Sequence, residues 1–158
     1  MTRSLAAPAI SIALLAAWLG AATVFAAVVA PAAFDVLPSR TLAGALVGRV
    51  LPVLFWSGAV VGVATAWLGA RLPQSQARLV AAAMIVISSL VAQLLIAPRI
   101  ERLRVAIGGP VDSLDPANPL RQSFGRLHGA SVACLGVGGL AALVILVLLV
   151  RFISRSLT

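Results

Sequence analysis

His128 is the only histidine and Cys134 the only cysteine in a chain of 158 residues. One imidazole can relay a proton or give a single bond to a metal or haem iron. One thiol excludes an intrachain disulfide and any zinc or iron–sulfur centre built on several cysteines. The remaining chemistry belongs to arginine: all twelve basic residues are Arg, against the four acids Asp35, Glu101, Asp112 and Asp115. Polar side chains gather in three stretches. The first holds Asp35, Arg40 and Arg49; the second Gln93, Arg99, Glu101, Arg102 and Arg104; the third Arg121, Arg126, His128 and Ser131. Arg121, Gly125 and His128 follow at spacings of four and three and so share a helix face. The candidate ligand-binding set is Arg40, Arg49, Gln93, Arg99, Glu101, Arg102, Arg126, His128 and Ser131. Guanidinium groups in such number suit an anionic or metal-linked solute. Each residue also has a plainer use, as an interfacial anchor for Arg, a local ion pair for Glu101 or a helix-to-helix hydrogen bond for Gln93. No hydrolase triad, phosphate-binding glycine loop, carboxylate pair or His/Cys metal cluster is present.

The elements that position these residues are membrane helices. Hydrophobic residues make up 61% of the chain and charged residues 10%, whereas soluble domains carry about a quarter charged. Four apolar runs are each long enough to cross a hydrocarbon layer of about 30 Å: residues 5–34, 50–70, 79–98 and 129–150. Barrel strands would show short alternating segments, and none occurs. The expected fold is an all-α integral membrane four-helix bundle forming one transmembrane domain over residues 1–158. The partner is the lipid bilayer. The net charge of +8 sits at span ends, where it anchors to lipid, so nucleic acid is not expected. The first run, too long for a signal h-region, reads as a retained helix.

Local signals set the helix ends. Ser39 suits an N-cap for a helix running through Arg49 into the second span, with Pro52 kinking it. Asn118-Pro119 suits the start of the fourth helix, about ten residues ahead of its apolar run. Residues 99–107 read as an amphipathic turn or two lying at the interface, ended by Gly108-Gly109-Pro110. Residues 71–78 make a tight hairpin. Gly44/Gly48, Gly58/Gly62, Gly125/Gly129 and Ala130/Cys134/Gly138 offer small-residue faces for helix packing, a pattern that sets no oligomeric state; a homo-oligomer is a separate expectation. With four spans both termini share a face. Arg3 and the basic hairpin favour a cytoplasmic placement of that face, although the count of basic residues favours the other.

Four segments also carry a family likeness: Val29-Ala30-Pro31-Ala32-Ala33-Phe34, Ala43-Gly44 through Gly48-Arg49, Pro98-Arg99-Ile100 with Leu103-Arg104, and Phe124-Gly125-Arg126-Leu127-His128-Gly129-Ala130-Ser131. In this order they resemble the transmembrane protein 205 family, whose bacterial members form domain of unknown function 4149. The resemblance covers essentially the whole chain. It implies a four-helix protein of the bacterial inner membrane with no established activity. The family asparagine expected near position 134 or 135 is replaced here by Cys134 and Leu135. A fainter similarity links such bundles to copper-resistance membrane proteins and to haem-binding protoporphyrinogen oxidase, which use more membrane histidines.

Three functions follow as expectations. The first is a non-enzymatic protein that binds or moves a small anionic or metal-linked solute at an arginine-rich bundle mouth, with no cofactor. The second is a haem-binding redox protein using His128, with its second ligand from another subunit. The third is a membrane scaffold or assembly factor.

Overall fold

A computed structural model describes residues 5–70 and 75–157. Arg3 and residues 71–74 of the expected hairpin lie outside the described residues. The described chain forms four membrane-length helices: α1 (Ala6–Val36), α2 (Arg40–Gly69), α3 (Gln76–Ile107) and α4 (Pro119–Leu157). They pack in the ring order α1–α2–α3–α4, with α1 closing back onto α4. Each is apolar around its circumference, as helices facing lipid on one side and neighbours on the other must be.

Helix ends follow the local chemistry. The Ser39 hydroxyl accepts a hydrogen bond from the Leu42 amide at 3.2 Å and caps α2. Asn118 Oδ1 accepts from the Leu120 amide at 2.9 Å, with Pro119 at the first helical position of α4. Gly108 ends α3 with φ 65°, a left-handed conformation that an L side chain rarely adopts. Residues 97–107 differ from expectation. They are not a turn or two of separate helix but continue α3 without a break and pack against α4.

The reason lies in two widened turns. A π turn spans Phe25–Val29 in α1 and Val91–Ile96 in α3, and a proline follows each two residues on, Pro31 and Pro98. Proline lacks an N–H, and its ring collides with the carbonyl four residues back. The wide turn moves that carbonyl aside, so the helix continues through the proline. The bonds from Ala30 N–H to the Phe25 carbonyl and from Ala97 N–H to the Ala92 carbonyl have this five-residue spacing.

At mid-bundle one side chain joins three helices. Trp18 of α1 is 5% exposed, and its Nε1 donates to the Leu54 carbonyl of α2 at 2.9 Å. A Cβ on Gly58 would lie 2.8 Å from the indole, and one on Gly138 of α4 would lie 3.2 Å from it. Towards the termini, Leu15, Val61, Ala82, Ile85, Ala142, Ile145 and Leu149 form the main core. Towards the other end the packing thins. Phe25, Val47 and Leu54 form a small cluster between α1 and α2 only. Gly62 marks the tightest approach of α2 to α3: a Cβ there would meet Val86 Cγ2 at 2.7 Å and the Ala82 carbonyl at 3.1 Å. Gly136 has open space around it. Gly62→Ala is therefore expected to lower the thermal midpoint in detergent, by an overpacking cost of about 1–3 kcal/mol. Gly136→Ala is expected to hold or raise it, as measured by circular dichroism melts.

Candidate functional site

The ends of α1 and α3 and the beginnings of α2 and α4 surround an open cavity of about 960 Å³. Ligand sites span about 300–1,000 Å³, so this one is at the large end of the range. Its inner wall is apolar: Val47, Leu51 and Phe55 of α2 and Ala92 of α3, with the Gln93 amide and Ser131 as polar points. Its outer rim carries Arg40, Glu101, Arg104, Asp112 and Arg121. Polarity is graded along the bundle axis. Arg104 stands eleven residues beyond Gln93 and Arg121 ten residues before Ser131, so the rim lies about 15 Å from the inner polar groups at 1.5 Å per residue.

Arg104 is the most constrained rim group. Its Nη2 donates to the Gly44 carbonyl at 3.1 Å, its Nη1 lies 3.8 Å from Glu101 Oε2, and its guanidinium sits 5.9 Å from the Phe124 ring centroid. A Cβ on Gly48 would come within 2.8 Å of Arg104 Nη1. Gly44 and Gly48 therefore seat a guanidinium. The helix–helix packing expected of that pair is not what they do. Phe124 in turn stacks on His128, ring planes 4° apart and centroids 6.4 Å apart.

A strap crosses the mouth. After Gly108 the chain makes a short 3₁₀ turn at Val111–Ser113, where the Ser113 hydroxyl donates to the Pro110 carbonyl at 2.7 Å. Asp112 Oδ2 accepts from Arg40 of α2 at 3.2 Å, and Asp112 Oδ1 lies 3.9 Å from Arg121 of α4. Arg121 also donates to the Leu114 carbonyl at 2.7 Å. One carboxylate thus tethers the strap to two helices. Deeper in, Gln93 Oε1 is buried and accepts no hydrogen bond among the described residues. An orphaned acceptor at membrane depth is costly, and a ligand donor would relieve it.

Of the candidates read from the sequence, the structure places Arg40, Gln93, Glu101, His128 and Ser131 on the cavity wall. Arg49, Arg99, Arg102 and Arg126 are exposed and lie off it. Arg99 instead donates to the Leu95 carbonyl at 3.3 Å, within the π turn region. Arg104 and Arg121, outside the candidate set, take their place, as does Asp112. The signal for Asp112 was present as the acid between a Gly-Gly-Pro stop and a capped helix start, where a loop must cross between basic helices. Gly125 and Gly129 meet nothing within 4 Å, so their expected packing role has no counterpart among the described residues. Among these residues no three His, Cys, Asp or Glu side chains gather where a metal ion could be held.

A family profile described as Domain of unknown function (DUF4149) matches residues 13–108, well over half of the chain. The matched part ends at the Gly108 cap and contains α2 and the α3 wall of the cavity. No curated protein and no solved structure matches the chain.

Asp112→Ala is expected to speed amide exchange across residues 108–118 by up to about fivefold. An exposed ion pair contributes about 0–1 kcal/mol, and the limit of about fivefold is that of the Arg40 pair, because the 3.9 Å Arg121 pair is long and Arg121 keeps its bond to the Leu114 carbonyl. Hydrogen-exchange mass spectrometry should register this while α4 residues 139–149 keep their protection.

Proposed function

We propose that this chain, which belongs to the DUF4149 family, binds a small anionic solute in the cavity at the polar end of its bundle. The family description carries no activity, so the reading rests on the site. One observation carries it: three guanidinium groups, Arg40, Arg104 and Arg121, ring a cavity whose wall has only two carboxylates, Glu101 and Asp112. Both carboxylates are engaged by those arginines, at 3.2 to 3.9 Å. The longer pairs leave guanidinium N–H groups able to turn to a stronger, charge-assisted partner. Gln93 Oε1 supplies an acceptor for a donor on the same solute.

Binding, with release to one or other side, fits better than turnover. The wall offers no nucleophile held by an oriented base, and its carboxylates are committed to arginine. The likeness to the transmembrane protein 205 family supports a multi-pass protein of a bacterial inner membrane, and Arg3 with the basic residues of the 71–78 hairpin supports termini on the cytoplasmic side. A haem role would rest on His128 alone, stacked on Phe124 at the open edge of the cavity.

Native mass spectrometry of the protein purified in mild detergent tests the reading. The wild type and Arg49→Ala, whose side chain lies off the cavity, are expected to retain a bound small molecule. Arg104→Gln and Gln93→Leu are expected to lose it, by about tenfold or more for the guanidinium. A wild type without any adduct, or an adduct equally occupied in Arg104→Gln, would sink the proposal.

A further inference from the structure

We infer that the occupant is a single-chain amphiphile with an anionic headgroup, which enters the cavity from the bilayer between α1 and α4. This rests on the solute-binding reading above and names the class of solute. Three observations support it.

The first is the opening. Gly138, Ser131 and Phe124 repeat at seven residues and so lie on one face of α4, as do Gly139 and Gly125 at fourteen. At Gly138 that face meets Trp18 of α1 and Ser88 of α3, and at Gly139 it meets Leu19 of α1. At Gly125 it meets nothing within 4 Å, and Ser131 and Phe124 line the cavity instead. Beyond Val24, α1 packs against α2, and Phe34 is its one residue on the cavity wall. The two helices therefore part beyond Gly138, on the side where the cavity lies.

The second is the depth of that parting. Leu51, Ala92 and Ser131 fall within or at the edge of the four apolar runs, while Arg40, Arg104 and Arg121 lie outside them. The inner cavity is thus at hydrocarbon level and the cationic rim at headgroup level. An apolar opening at hydrocarbon depth is filled by a hydrocarbon chain in preference to water.

The third is charge. The polar end carries Arg40, Arg49, Arg99, Arg102, Arg104, Arg121 and Arg126 against Asp35, Glu101, Asp112 and Asp115. This positive surplus attracts an anionic headgroup to the rim by charge. A free anion would use the rim and leave the apolar interior empty. A neutral lipid would use the interior and leave the arginines idle. An anionic amphiphile uses both.

Lysophosphatidic acid, with one acyl chain and a phosphate, is the probe. Glycerol 3-phosphate removes the chain, and lysophosphatidylcholine adds a cation to the headgroup. Binding to the detergent-purified protein is read by native mass spectrometry. Lysophosphatidic acid is expected to bind at least tenfold more tightly than either comparator. Arg104→Gln should weaken it about tenfold, and Gly125→Leu, whose side chain fills open space, should weaken it at unchanged thermal stability. Glycerol 3-phosphate binding as tightly, with the same loss in Arg104→Gln, would overturn the amphiphile and leave the solute-binding reading standing. Equal binding of lysophosphatidylcholine, or no effect of either substitution, would also overturn it. A stable dimer that Gly125→Leu disperses would assign the opening to a second copy and overturn it too. No binding of any probe, with no adduct retained from the membrane, would remove both readings.

Discussion

The bundle depends on the seat of one indole. Lipid gives apolar helices no reason to prefer each other over acyl chains, so association rests on close fit and satisfied polar groups. Trp18 supplies both: its ring fills the space that Gly58 and Gly138 leave on two neighbouring helices, and its N–H finds the Leu54 carbonyl. A larger residue at either glycine would displace it. Because α1 is fixed to α4 at this level, the described residues on the terminal side of Trp18, from Leu15 and Val61 to Ile85 and Leu149, pack as a core shared by all four helices. Beyond it, α1 follows α2 through Phe25, and the partnership with α4 ends. The cavity is a consequence of where that seat lies.

The two proline-linked π turns act on the same end. Each carries a helix through a proline without breaking it, one in α1 beside the parting from α4 and one in α3 at the wall that bears Gln93. A proline leaves a carbonyl of the preceding turn without its N–H partner, which is costly in hydrocarbon, and the widened turns keep the amides just before Pro31 and Pro98 paired, Ala30 with Phe25 and Ala97 with Ala92. The polar groups then fall into two levels. Gln93 and Ser131 remain inside the apolar zone, and the arginine rim, strapped by Asp112, stays outside it. Arginine suits this rim because its planar fork can hold a carbonyl, a carboxylate and an aromatic face at once, as Arg104 does.

Much of the architecture was legible because its causes are local. Run length set the four helices, and Ser39, Asn118-Pro119 and Gly108 set their ends. What failed depends on azimuth and distant partners. A π turn inserts one residue and rotates all that follows by about 100°. A straight-helix reading of α3 therefore loses its phase after Ile96, and the wall receives Arg104 while Arg99 and Arg102 point elsewhere. Gly44 and Gly48 have the spacing of a helix-packing pair, yet their neighbour is a guanidinium about 60 residues along the chain. Spacing alone does not distinguish the two. Gly58 and Gly62 carry the same signature and do pack helices. Family membership extends over α1 to α3 and supports the architecture, while the chemistry has to be argued from the cavity itself.

Occupation of the inner cavity by hydrocarbon from the bilayer is what the architecture and the charge of the rim together lead to. It is tested most directly by a photo-crosslinking amino acid placed at Leu51, on the cavity wall, and activated in intact membranes. A covalent adduct with the mass of an anionic lipid is expected, reduced when Arg104 is replaced by Gln. Crosslinks only within the chain or to water, with no lipid adduct, would contradict it.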